Sequence, residues 1–221
     1  MVCNFNQRCL VFTWLFAPAL YAAWIGAWLI ELKLRSQVSW MQTSAGQTLY
    51  WVLAKAALWV CPAILLIRLS GRKTNDALGF RRIKATLTWG GGIGLLLGVL
   101  ALAQRRIGHG PLFSSTFDWS FLAGVVISPV VEEITFRGAV LGNLLQRYSF
   151  VTANTLTAIF FLGAHLPGWY FQGRLRPVLV PPFGGALSIF LLGWVFGLVA
   201  YKSKSTTAST LTHILNNLGN A

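Results

Sequence analysis

The sequence predicts an all-α protein, a multi-pass bundle of about seven membrane helices, and two observations carry that prediction. Of its 221 residues, 55% are hydrophobic and only 10% are charged, whereas a soluble domain of this size carries about a quarter charged residues. Apolar runs recur along the chain, each close to the roughly 20 residues that cross a bilayer as a helix. The whole of 1–221 therefore reads as a single integral membrane domain.

The first run, Leu10–Ile30, is too long for the apolar part of a signal peptide and no small-residue cleavage site follows it, so it is a membrane helix. The second and third are Thr48–Ile67 and Leu87–Ala103. The fourth, Ser120–Gln146, is long and is expected to end in an interfacial turn. The fifth, Phe150–Phe171, contains Pro167, where a kink or stop is expected. Gly184–Tyr201 is the sixth, and Ser205–Gly219 the seventh. The last is short and rich in Ser, Thr and Asn, so it is expected to be enclosed by the other helices.

The formal charge of +13 does not imply a nucleic-acid partner. Nearly all the Lys and Arg lie between apolar runs, where they set topology, and no contiguous basic surface on a folded domain is visible. The loop with Arg68, Arg72, Lys73, Arg81, Arg82 and Lys84 belongs in the cytosol by the positive-inside rule, which puts the N-terminus there too. Lys55, inside the second run, is read as snorkelling or lining a polar interior, with no chemistry assigned. His109, in a Gly-flanked loop, is read as solvated.

Cys3, Cys9 and Cys61 show no metal-ligand spacing, and Cys61 is read as a small packing residue. Small residues four apart, Gly90/Gly94/Gly98, Gly138/Gly142 and Gly193/Gly197, predict close helix packing. Trp40, Trp51, Trp89 and Trp119 lie near run ends, as an interfacial belt places them.

The chemistry concentrates in the fourth run. Two of the five acidic residues, Glu132 and Glu133, stand side by side there, where an unpaired charge is costly and points to function. Glu133 and Arg137 are four apart and share a helix face, so they can pair. Glu132 is turned about 100° away and is left for other work. Glu132 and His165 are equidistant from the short turn at Tyr148 and Ser149. An antiparallel hairpin thus puts them at one depth, roughly 25 Å from the turn. A carboxylate and an imidazole that face each other can hold and deprotonate a water. His213 and Asn217, four apart on the seventh run, project from one face and offer donors for an oxyanion or ligands for an ion.

Glu132-Glu133-x-x-x-Arg137, then Phe161-x-x-x-His165, then His213-x-x-x-Asn217 resemble the motifs of the CAAX protease and bacteriocin-processing (CPBP) intramembrane proteases, which include the type II CAAX prenyl endopeptidases. The resemblance covers residues 119–221. It implies that Glu132 activates water with His165, that His213 and Asn217 stabilise the oxyanion, and that Glu133, Arg137 and Phe161 support the site. It leaves two chemistries open. Zinc held by Glu132, His165 and His213 is one. A metal-free glutamate mechanism without a cofactor is favoured, because a three-helix ligand set replaces the usual His-Glu-x-x-His helix.

The expected partners are the lipid bilayer and a membrane-associated peptide or protein that is cut. The competing readings are a non-catalytic immunity or scaffold protein of the same fold, and a proton-coupled transporter. No inverted repeat supports the transporter.

Overall fold

The computed structural model describes residues 5–108, 118–180 and 185–220, with side chains from residue 10 onward. Every regular element among them is helical. The helices are α1 (Phe5–Gln37), α2 (Ser44–Leu69), α3 (Thr74–Leu78), α4 (83–107), α5 (Trp119–Leu144), α6 (Phe150–Phe171), α7 (Leu175–Leu179), α8 (Ala186–Ser203) and α9 (Thr206–Asn220). Six stretches are long and apolar enough to span a bilayer: α1, α2, α3 with α4, α5, α6 and α8. The polar α9 is the seventh segment.

The predicted segments are all present; α1, α2 and α4 are longer than their apolar runs, and the others agree with theirs to within two residues. The helix α1 continues past Ile30 because Glu31 is fully buried and pairs with Arg35 one turn on, which keeps the polar end wound. As expected, α5 ends in a turn, at residues 145–148. Pro167 does not stop α6, which runs on to Phe171. A bilayer obliges the backbone to stay hydrogen-bonded, and neighbouring helices absorb one missing N–H.

Helix α9 lies along α4 and touches α8 and α5. Thr206, Ala208, Ser209, Thr212, His213, Asn216 and Gly219 are buried, so the enclosure expected of the seventh segment is found on most of its circumference. The predicted glycine stripe of α4 makes this contact. A Cβ on Gly90 would meet the Ala208 backbone, one on Gly94 would meet Thr212 and Leu215, and one on Gly98 the Leu215 carbonyl. At Gly197 of α8 a Cβ would collide with the Asn154 side chain, whose amide donates to the Trp194 carbonyl at 2.9 Å.

Two residues depart from expectation. Trp51 is not part of an interfacial belt: it packs inward against Trp24 and Trp28, with centroids 5.0 and 4.4 Å away. Only Trp40, Trp89 and Trp119 of that set are exposed. Cys61 is exposed rather than packed, because its side of α2 faces away from the bundle while Ala63, Leu66 and Ile67 face in. Cys3, the Cys9 side chain and His109 lie outside the described residues.

Four stretches of helix are widened to π geometry, Ala56–Val60, Thr86–Gly91, Ala123–Ile127 and Ile134–Leu141. Widening misaligns backbone carbonyls, and polar side chains from elsewhere in the bundle take several of them. Thr212 donates to the Gly90 carbonyl at 3.1 Å. Arg72 donates to the carbonyls of Gly138 and Ala139 at 2.8 and 3.0 Å, and to Asn143 at 2.7 Å.

Candidate active site

The six residues between the two widened stretches of α5 form regular α-helix, Ser128–Glu133. Ser128 and Glu132 are one turn apart and share a face; Glu133 and Arg137 share another. The widening before them has a local cause. In this register the Ser128 N–H reaches back to Ala123, so the next N–H would serve Gly124, but residue 129 is proline and has none. The Gly124 carbonyl is satisfied by the Asn217 amide of α9, at 3.1 Å.

Glu132 and His165 line one cavity of about 210 Å³, together with Lys55, Trp59 and Trp169. The hairpin thus brings to one chamber the two residues that spacing put at one depth. Phe161 fixes the imidazole. A carbonyl can only accept, so His165 Nδ1 donates to the Phe161 carbonyl at 2.8 Å. In the neutral ring Nε2 is then the acceptor. The Phe161 ring meanwhile lies under the Arg137 guanidinium, 4.5 Å from its centroid.

Lys55 is the residue that the sequence reading left without a role. Its Nζ donates to Ser128 Oγ at 2.7 Å and to Glu132 Oε1 at 3.3 Å. A signal did exist: an intramembrane lysine is as costly as an intramembrane glutamate, yet nothing in the sequence shows which helix faces it.

Glu133 has two partners. Arg137 donates to Oε1 at 2.9 Å, as predicted, and His213 Nδ1 lies 3.0 Å from the same oxygen. Arg137 also donates to the Gly193 carbonyl at 2.6 Å. His213 is held flat on Phe196, with centroids 4.3 Å apart, and its Nε2 stands 4.0 Å from Glu132 Oε2. Glu133 thereby sets the tautomer of His213, as a buried carboxylate does for an imidazole it accepts from. Two cations and two carboxylates balance in the buried cluster, which offsets part of the desolvation cost of each.

Asn217 stands apart from this group. Its Nδ2 is engaged with Gly124, and its Oδ1 accepts from Asn216 at 3.2 Å. It lies one turn beyond His213 and outside the walls of the small cavity.

Among the described residues no three His, Cys, Asp or Glu side chains are grouped as a metal site.

A larger cavity, about 540 Å³, shares Trp24, Trp28, Lys55 and Gln172 with the small one and extends to Ser44, Asp118 and Ser120. The chamber therefore opens toward the end of the bundle where α2 and α5 begin, opposite the basic α2–α3 loop. At its mouth Asp118 caps α5. The Ser120 hydroxyl, the Phe121 N–H and the Ser44 hydroxyl all donate to its carboxylate, and they hold it below the ordinary carboxylate range.

Residues 114–219 match the family model described as type II CAAX prenyl endopeptidase Rce1-like. Over this stretch the chain is similar to the Rce1-like family. The match takes in α5 to α9 and so every motif quoted above, and it agrees with the resemblance drawn from those motifs. The Rce1-like family is one of membrane-embedded proteases, and α1 to α4, Lys55 included, lie outside the matched residues. No curated protein and no solved structure matches the chain.

Proposed function

We propose that this Rce1-like protein is a glutamate-type intramembrane endopeptidase that cuts a membrane-associated peptide or protein. The observation that carries the reading is the shared chamber of Glu132 and His165. A water between the Glu132 carboxylate and His165 Nε2 has two bases to accept its protons. Attack on a peptide carbonyl passes a proton to Glu132, which later returns it to the leaving amine. The aromatic walls exclude bulk water, which strengthens the charges inside.

The oxyanion needs a donor, and His213 is the candidate: its Nε2 stands 4.0 Å from Glu132 Oε2 while its Nδ1 faces Glu133. Asn217 joins as a second donor once its amide leaves Gly124. Loss of cleavage products in a Glu132→Gln variant tests the reading; unchanged products would favour the non-catalytic immunity or scaffold role.

Lys55 positions Glu132 in this scheme. It tethers Oε1, which leaves Oε2 toward the chamber. One charge-assisted hydrogen bond contributes about 1.5–3 kcal/mol, so Lys55→Met is expected to lower kcat roughly 10- to 100-fold. Lys55→Arg, which keeps the cation, restores most of the loss. Equal loss in both variants would show that Lys55 serves packing alone.

The basic α2–α3 loop supports a cytosolic N-terminus, and on that orientation the chamber opens on the non-cytosolic side. In a chain without other cysteines, Ser44→Cys is expected to react with a membrane-impermeant thiol reagent in intact cells. Asn75→Cys should react only after the membrane is opened. The reverse pattern would invert the orientation and turn the opening to the cytosol.

A further inference from the structure

The end of the bundle away from the chamber holds a second concave site, which the catalytic reading does not use. It is a groove of about 780 Å³ between the α2–α3 turn, the last turns of α5 and the α8–α9 turn. Lys73, Lys202 and Lys204 stand on its rim, and all three are exposed. None of the three forms an ion pair among the described residues. Asp76 is the one carboxylate in the lining.

The floor differs from the rim. Leu141, Leu145 and Ala200 make it apolar, and Arg137 closes it from below. Arg137 is 3% exposed, and its buried Nε has no hydrogen-bond partner, an unmet donor at the bottom of a basic groove. Lys204 sits in the left-handed backbone region, with φ 52°. That conformation is uncommon outside glycine and asparagine, and here it places a cation at the α8–α9 turn. A neighbouring cavity of about 570 Å³ shares Arg72 and Lys73 and adds Arg68 and Arg81.

We propose that this groove binds the phosphate headgroup of an anionic phospholipid, with an acyl chain against the apolar floor. The bounding segments adjoin the ends of the spans Ser44–Leu69, Thr74–Ile107, Trp119–Leu144 and Ala186–Ser203, so the groove lies at headgroup level. Basic pockets between helix ends attract anionic lipid there, each cation contributing about 1 kcal/mol. A free phosphate satisfies the same cations but leaves the apolar floor uncovered.

The test uses the full chain in nanodiscs of phosphatidylcholine, with or without phosphatidylglycerol, and native mass spectrometry of the lipid retained after detergent extraction. The wild type is expected to retain phosphatidylglycerol in preference to phosphatidylcholine. The Lys73→Gln/Lys202→Gln/Lys204→Gln variant should lose roughly 100-fold of that preference, and each single variant part of it. The Arg106→Gln/Arg174→Gln/Arg176→Gln variant, which removes three charges from the other end, should keep it. Equal loss in both triple variants would reduce the effect to net charge and overturn the site, and so would equal retention in both. Inorganic phosphate alone, added in detergent, should not displace the retained lipid; full displacement would assign the site to free phosphate and overturn the lipid proposal. Single variants that remain monodisperse keep the test valid if the triple variant does not fold.

Discussion

Glu132→Gln protein, purified in detergent, is expected to keep its fold and to lose cleavage by about two to four orders of magnitude. Glutamine has the size of glutamate and still offers Oε1 to Lys55, so the packing of α2 against α5 is preserved. What it lacks is a basic oxygen. The water in the chamber would be left with His165 alone, and the leaving amine without its proton donor. Mass spectrometry of membrane peptides from cells with wild-type or Glu132→Gln protein is the direct measurement. Products present with the first and absent with the second would also report the substrate and the scissile bond. Identical peptide sets, with both proteins folded and abundant, would remove Glu132 from the chemistry.

The second large effect is on stability. Arg137→Met removes the guanidinium that donates to Glu133 at 2.9 Å and to the Gly193 carbonyl at 2.6 Å. Glu133 has no solvent exposure, so its charge would be left in the bundle with only His213 to answer it. Breaking a buried pair from one side costs about 3–5 kcal/mol. The Glu133→Gln/Arg137→Met double variant is expected to be more stable than Arg137→Met alone, because it removes the stranded charge as well. Thermal melting of the three proteins in one detergent measures the coupling. A double variant no more stable than Arg137→Met would mean that the guanidinium acts through Gly193 and the rings of Phe161 and Phe196, not through Glu133.

The hairpin of α5 and α6 was legible in the sequence because the two helices are consecutive. Rise per residue converts chain distance into depth, and one turn at Tyr148 and Ser149 fixes the register of Glu132 against His165. Helix periodicity likewise separated Glu133, on the Arg137 face, from Glu132. Lys55 could not be placed in this way. It is separated from α5 by α3, α4 and three connections, and neither depth nor rotation carries across so many joints. The Gly90/Gly94/Gly98 stripe announced a close neighbour but not that α9 is that neighbour. The face of α9 that carries Asn217 could be read from its spacing to His213, but not the Gly124 carbonyl, whose need arises from the proline at position 129 and the widened turn before it. The surroundings of Trp51 were misread for a related reason. A tryptophan near a helix end fits an interface and an aromatic cluster equally well, and only the rotation of α2 decides.

The helix α9 has a consequence for how the protein is made. It holds Ser, Thr and Asn along most of its length and does not qualify as a membrane span by its own composition. A translocon that releases helices into lipid by their hydrophobicity would not release it unaided. It is also the latest of the described helices in chain order, and it docks closely on the glycines of α4. Synthesis must therefore hold α4 ready, with its stripe open, until α9 arrives. His213 travels on that helix, so its imidazole reaches Glu133 only when the bundle closes, and a chain still in synthesis holds Glu133 with Arg137 but without His213.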